Sequence, residues 1–96
     1  MSNELAAQVG RGLHAARTYR NLSVADLTAP AAIGRSAYGA YLAGRACPSL
    51  ETLVVLLGRL DVTFEQLLEL GRLDVPDPRS SIREQAALVL REAVAV

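Results

Sequence analysis

The stretch from Ser23 to Arg45 constrains the fold most, because it carries the signals for two short helices and for the turn between them. Ser23 is a favourable N-cap, and the carboxylate of Asp26 suits the positive end of a helix dipole. Pro30 has no N–H to donate and disfavours helical geometry in the residue before it. The sequence therefore predicts a first helix that begins after Ser23, turns Leu27 inward and ends before Pro30.

A second helix is predicted from Arg35 to Ala43, with Gly34 as its N-cap and Gly44 at the position after a helix that favours glycine. One face of this helix carries apolar side chains at the i, i+3, i+4 spacing, namely Tyr38, Tyr41 and Leu42. The opposite face carries Arg35, Ser36, Gly39 and Ala40. We therefore expect the first face to be buried and the second to be exposed.

The composition favours helices throughout the chain. The 96 residues are enough for one domain with a core. Half of them are hydrophobic, but aromatic residues make up only 4 %, so the apolar content is mostly alanine and leucine. Because β-branched residues are scattered and do not alternate, we expect an all-α fold.

The net charge is zero but unevenly distributed. Residues 1–45 hold five arginines against two acidic residues, and residues 46–96 hold five arginines against eight. A basic first half suits a chain that contacts a polyanion with one end only. A chance distribution of surface charge is the alternative, because the imbalance is small.

The sequence offers little for catalysis. Its single histidine, His14, has no cysteine, serine or carboxylate at a useful spacing, so we expect a surface or structural role. Cys47 has no partner for an internal disulfide and no metal-ligand spacing around it, so we expect a small buried side chain in a reducing cytoplasm. We therefore expect no enzyme activity, no metal and no cofactor. No signal peptide is recognisable, and the longest apolar runs, Leu53–Leu57 and Ala86–Leu90, are too short to span a membrane.

Before this stretch, Asn3 can cap a helix over Glu4 to about Arg20. Its apolar stripe recurs every three or four residues and consists of Leu5, Val9, Leu13 and Ala16. Gly10 and Gly12 weaken a helix by about 1 kcal/mol each relative to alanine, so they indicate close packing of the backbone.

After the stretch, Ser49 can cap a core helix that ends before Asp61. We expect its inward face to consist of Leu50, Leu53, Val54, Leu57 and Leu60. Thr63 and Gln66 form a capping box for a further short helix, which Gly71 ends. Residues 1–71 are thus predicted to form one domain, followed by a proline-containing linker over 72–80.

A last helix is predicted over 81–96, where Ser81 and Glu84 form a capping box. Its apolar stripe consists of Ile82, Ala86, Val89, Leu90 and Ala93. Because the linker leads this helix away from the domain, we expect the stripe to hold a homodimer together. The alternative is that the helix folds back onto its own domain and the protein is a monomer.

Three parts of the chain carry a family resemblance: VGRGLHAART, the register from Ser23 to Gly44, and PSLETLVVLLGRLDVTFEQLLEL. Together they resemble the lambda-repressor-like, XRE-type helix-turn-helix family over residues 5–70. The resemblance implies a five-helix domain that binds operator DNA as a symmetric dimer, with its third helix in the major groove.

Carried over from that family, the DNA-contacting positions fall on Arg20, Ser23, Val24, Arg35, Ser36, Gly39, Ala40 and Arg45. Arg35 could bind guanine O6 and N7, and Ala40 could contact a thymine methyl group. The amides at the start of the helix after Ser23 could hold a phosphate. Arg20 and Arg45 would contact the DNA backbone.

The chain departs from the family pattern at four positions. Val24 stands where the family has a phosphate-bracing glutamine, and Leu42 stands where a glutamate often pairs with the arginine that matches Arg17. Ala32 replaces the turn glycine, at a cost of roughly 1 kcal/mol if its backbone is left-handed, and Pro30 shortens the second helix. These departures predict a remodelled turn and weaker DNA binding.

The leading interpretation is a cytoplasmic, sequence-specific DNA-binding regulator that acts as a homodimeric repressor. The alternative keeps the fold but changes the function to a protein-binding module, such as an antitoxin or a regulatory subunit. In that case the C-terminal helix or the remodelled third helix would contact a protein partner.

Overall fold

The computed structural model describes residues 4–72 and 89–90. Its helices are α1 (Glu4–Arg20), α2 (Val24–Thr28), α3 (Arg35–Leu42), α4 (Leu50–Leu60) and α5 (Phe64–Gly71). No strand occurs among the described residues, which confirms the predicted all-α class for this part of the chain. None of the helices described is long and apolar enough to cross a membrane.

The predicted capping residues begin α2, α4 and α5. The Ser23 Oγ accepts a hydrogen bond from the Asp26 amide at 3.0 Å, and the Asp26 carboxylate accepts one from the Ser23 amide at 3.2 Å. Hydrogen bonding of the Asp26 carboxylate with the backbone and then the side chain of Ser23 lowers the pKa of that carboxyl below its usual value. Thr63 and Gln66 form the same reciprocal pair, and the Ser49 Oγ accepts from the Thr52 amide at 3.2 Å. Short-range signals therefore set these helix starts. Asn3, the predicted cap of α1, lies outside the described residues.

The core is built mainly around α1, which packs against α5 and α3. The buried leucine and tyrosine side chains come from all five helices. The side chains that are at most 2 % exposed are those of Leu13, Leu27, Tyr38, Leu56, Leu60, Leu67 and Leu70. Burial of Leu27 and of the stripe residues Val9, Leu13 and Ala16 agrees with the predictions for their helices.

Close backbone contact between α1 and its neighbours explains two of the glycines. A Cβ on Gly10 would lie 2.1 Å from the carbonyl oxygen of Tyr41, and one on Gly12 would lie 2.3 Å from that of Leu67. No real side chain tolerates such distances. The prediction that these glycines allow close packing is therefore confirmed.

Two polar side chains of α1 also bind the last turn of α5. The Nε2 of Gln8 donates a hydrogen bond to the carbonyl oxygen of Leu68 at 2.7 Å, and the Nε of Arg11 donates one to that of Gly71 at 2.8 Å. These bonds satisfy carbonyl groups that have no partner within a helix end. They join residues that lie 60 positions apart in sequence.

The predicted inward face of α4 is wrong at two positions. Leu50 is 77 % exposed and Val54 is 62 % exposed, whereas Leu56 is fully buried. Nine consecutive helical positions from Leu50 to Gly58 include six large apolar residues, so periodicity alone does not select one face. The domain covers the face that contains Leu56 and Leu60, because that face meets the rest of the core.

Two further burial predictions are corrected. Leu5 belongs to the predicted stripe of α1 but is 56 % exposed, since it lies in the first turn, ahead of the buried residues that begin at Val9. Cys47 is exposed and not buried, because it lies in the irregular segment between α3 and α4.

Of the predicted C-terminal helix, the structure describes Val89 and Leu90. Both are helical, Leu90 is 7 % exposed, and Val89 is partly buried against the same core. Leu90 is therefore in contact with its own domain, as the fold-back alternative requires. The linker beyond Arg72 and the stripe residues Ile82, Ala86 and Ala93 lie outside the described residues.

Candidate nucleic-acid interface

The turn between α2 and α3 has a defined backbone. The helix α2 ends at Thr28, two residues before Pro30, as predicted, but Ala29 has the helical angles φ −57° and ψ −47°, so the expectation that Pro30 excludes helical geometry there is wrong. The amide of Ala31 donates to the carbonyl of Thr28 at 3.1 Å, and the amide of Ala32 donates to that of Ala29 at 3.0 Å. Ala32 has φ of 56°, so an alanine occupies a left-handed conformation that glycine adopts at lower cost.

The helix α3 has one buried and one outer face, as the spacing predicts. Tyr38 is 2 % exposed and Tyr41 is 9 % exposed. Arg35 and Ser36 are exposed in the first turn of α3, and Gly39 and Ala40 are partly exposed. A Cβ on Gly39 would have no neighbouring atom within 4 Å, so the domain itself does not require glycine there.

Two partly buried hydrogen bonds from Arg17 help to hold α3 against α1. The Nε of Arg17 donates to the Tyr38 hydroxyl at 3.2 Å, and its Nη1 donates to the carbonyl oxygen of Leu22 at 2.9 Å. Burial raises the pKa of the Tyr38 hydroxyl, and the Arg17 hydrogen bond and charge oppose that shift in part. Arg17 thus joins the end of α1 to the segment before α2 and to the inner face of α3.

Tyr38 was not expected as a partner of Arg17. The resemblance to the helix-turn-helix family implies a partner at position 42, where Leu42 offers no acceptor. Tyr38 precedes Leu42 by one helical turn and therefore lies on the same face of α3. The signal that could have identified it was a hydroxyl-bearing aromatic residue at that spacing.

The remaining predicted contacts have different surroundings. The Nε and Nη2 of Arg20 donate to the carbonyl oxygens of Leu60 and Asp61 at 2.7 and 2.8 Å, and its side chain is 20 % exposed. These bonds tie α1 to the end of α4 and do not favour a phosphate contact for Arg20. Arg45 is exposed and follows Gly44, which has φ of 75°.

At the start of α2, the predicted phosphate site is only partly available. The Ser23 side chain is exposed, but its oxygen already caps the helix. Val24 packs partly against the core and has no polar side-chain atom. A phosphate at this position would be bound by backbone amides and not by the side chains of Ser23 or Val24.

The structure thus brings Arg35, Ser36, Gly39 and Ala40 onto one outer face. Within residues 4–72 and 89–90, no group of three or more His, Cys, Asp or Glu could hold a metal ion. No protein-family description, no curated protein and no solved structure matches the chain.

Proposed function

We propose that the chain is a sequence-specific DNA-binding regulator of the lambda-repressor-like helix-turn-helix type, acting in the cytoplasm as a homodimeric repressor. The observation that carries the proposal is the outer face of α3, where the exposed Arg35 and Ser36 precede the small residues Gly39 and Ala40. This order of residues suits a helix that enters the major groove by its N-terminal half.

Each residue of that face has a distinct role in the proposed complex. Arg35 donates two hydrogen bonds to guanine O6 and N7, and Ser36 bonds a base or a phosphate. Gly39 leaves room for close approach, and Ala40 contacts a thymine methyl group. Arg45 contacts the backbone, so it adds affinity for every sequence alike.

The proposed dimer provides the affinity that one such helix lacks. Two copies of α3 related by a two-fold axis reach successive major grooves about 34 Å apart. Because Leu90 is buried in its own domain, a dimer contact through residues 81–96 has to use the other side chains of that segment.

The test begins with selection of binding sites from random double-stranded DNA by the full chain. We expect enrichment of a pseudo-palindrome with half-sites roughly 10 base pairs apart. On the selected site, fluorescence anisotropy of Arg35→Ala should show a loss of about 1–3 kcal/mol, roughly 5- to 150-fold, with relaxed preference at one base pair per half-site. If Arg35 and Arg45 of two protomers together neutralise about four phosphates, log affinity should fall against log salt with a slope of roughly −3 to −4.

Arg72→Ala is the matched control, because Arg72 is also an exposed arginine but lies at the end of α5 and not on α3. It should leave specific affinity unchanged. The proposal is overturned if the selection enriches no DNA site, or if Arg35→Ala and Arg72→Ala change the affinity equally.

The dimer is tested by sedimentation equilibrium. Deletion of residues 81–96 should shift the chain to monomer if that segment forms the interface. Leu90→Ala in the full chain is the control for lost core packing, and it should leave the dimerisation constant unchanged. If the truncated chain has an unchanged dimerisation constant, residues 81–96 do not form the dimer interface.

A protein-binding module is the second candidate function. It is favoured by Gly39 and Ala40, which carry no hydrogen-bonding side-chain group on the outer face of α3. In that case a protein partner takes the place of DNA against α3. Absence of salt-dependent DNA binding, together with a protein complex abolished by Gly39→Gln, would support it.

A further inference from the structure

Arg17 forms a junction between α1 and the two helices of the candidate interface. The amide of Leu22 donates a hydrogen bond to the Arg17 carbonyl oxygen at 3.1 Å, and the Arg17 Nη1 donates one to the Leu22 carbonyl oxygen at 2.9 Å. Leu22 directly precedes Ser23, the N-cap of α2. From the same guanidinium, Nε donates to the Tyr38 hydroxyl on α3 at 3.2 Å. One side chain therefore binds the start of α2 and the buried face of α3.

The Arg17 guanidinium is suited to hold these two partners in a fixed relation. Its remaining nitrogen, Nη2, lies 3.4 Å from the Nδ1 of His14, which accepts when the imidazole is neutral, because a guanidinium has only donors. The group is planar, so the directions of its donors are fixed relative to one another. A displacement of the Tyr38 hydroxyl relative to the Leu22 carbonyl therefore breaks or lengthens one of the two bonds.

The local signals that position α3 are weak. Gly34, its N-cap, has no side chain with which to bind the first turn. The preceding turn holds Ala32 at φ of 56°, a conformation that is costly for alanine and persists only where surrounding contacts maintain it. The two helices also rest on different parts of the domain, since α3 packs mainly on α1 and α2 packs on α4 and α3. The Arg17 junction thus connects elements that the turn alone does not fix.

The position of Tyr38 on α3 links this junction to the outer face. Arg35 precedes Tyr38 by three residues, about one helical turn, so a rotation of α3 that displaces the Tyr38 hydroxyl also turns Arg35. A side chain that reads a base has to be held within about 0.5 Å of its productive position. The junction therefore bears on the direction of Arg35 although neither Arg17 nor Tyr38 lies on the outer face.

We infer that Arg17 and Tyr38 are positioning residues for DNA recognition, whose hydrogen bond fixes the angle of α3 relative to the start of α2 and thereby aims Arg35 at its base pair. The inference rests on the proposed function. It gives the Tyr38 hydroxyl a part in sequence discrimination, in addition to its contribution to stability.

The test uses the full chain and the DNA site selected as described above, with Tyr38→Phe, which removes the hydroxyl and keeps the ring. Fluorescence anisotropy should show roughly a three- to tenfold loss of affinity for the selected site, and unchanged affinity for an unrelated duplex of the same length. In the Arg35→Ala background, Tyr38→Phe should change the affinity for the selected site by less than about twofold, because the base contact that the hydroxyl aims is already lost.

Gln8→Ala is the matched control, because it also removes one side-chain hydrogen bond of α1, whose acceptor lies on α5 and not on α3. Circular dichroism should show that both variants are folded at the assay temperature, since the loss of one hydrogen bond is small relative to the stability of a domain. A role of Tyr38 in stability alone predicts equal DNA affinities for Tyr38→Phe, Gln8→Ala and the natural chain.

Three results would overturn the inference and leave the proposed function intact. The first is equal affinity of Tyr38→Phe and the natural chain for the selected site, and the second is an equal loss on the unrelated duplex. The third is a loss from Tyr38→Phe that is as large in the Arg35→Ala background as in the natural chain. If the natural chain itself binds no DNA site specifically, the proposed function fails and the inference fails with it.

Discussion

The guanidinium of Arg17 donates a hydrogen bond to the hydroxyl of Tyr38 across 3.2 Å, and this bond joins the end of α1 to the buried face of α3. Arg17 is only partly exposed, and Tyr38 is nearly fully buried. The bond therefore fixes the position of the proposed recognition helix from its inner side.

Tyr38→Phe removes only the hydroxyl and should lower the free energy of unfolding by about 1–2 kcal/mol, because it takes an acceptor from a partly buried charged donor. Urea unfolding measures the loss. Tyr19→Phe is the control, since the Tyr19 ring lies against Arg20 at 5.1 Å and the substitution keeps that ring. Equal, small effects of both substitutions would mean that the Arg17 bond adds little.

Gly12→Ala should destabilise the domain by about 1–3 kcal/mol or more, because the new methyl group overlaps the Leu67 carbonyl and forces α1 and α5 apart. Gly58→Ala provides the opposite result as a control, with a gain of about 0.5–1 kcal/mol from helix propensity. Urea titration measures the change in the free energy of unfolding for both variants. A neutral Gly12→Ala would contradict the close approach of the two helices.

Ala32→Gly should stabilise the domain by about 0.5–1 kcal/mol, since glycine relieves the left-handed backbone at the cost of some added freedom in the unfolded chain. Ala31 is adjacent but does not have a positive φ. Ala31→Gly should therefore destabilise. Thermal unfolding compares the stability of the two variants. If both are less stable than the natural chain, Ala32 is not strained.

Stability should fall as the pH drops through the range in which His14 titrates. Burial lowers the pKa of His14 below 6.5, and the charge of Arg17 lowers it further. The unfolded chain then binds more protons than the folded one, so the contribution is complete above about pH 6.5 and is lost towards the lower folded pKa. Urea unfolding at several pH values should show this slope, and His14→Gln should flatten it.

Local signals in the sequence were sufficient for much of the fold. The caps at Ser23, Ser49 and Thr63 use neighbours three residues away, and α2 ends two residues before Pro30, which has no N–H to donate. Such effects depend on adjacent residues alone, so the sequence contains them completely.

Long-range choices were harder to predict. The helix α4 is apolar on several sides, and only packing against α1 and α2 decides that Leu56 is buried while Leu50 and Val54 are exposed. The Arg17–Tyr38 bond spans 21 positions, and no local pattern connects its ends. For the candidate site, the spacing on α3 gave the buried and outer faces correctly, but it did not show that Arg20 is bound to the end of α4.

The hydrogen bonds from Gln8 and Arg11 to the last turn of α5 also bear on the order of events during synthesis. Contacts between distant parts of a chain form only after the intervening residues are free to fold, and a chain is synthesised from its N-terminus. The helix α1 therefore obtains its main packing partner only after α2, α3 and α4 have been made. Until Gly71 has left the ribosome, the apolar face of α1 remains without α5 to cover it.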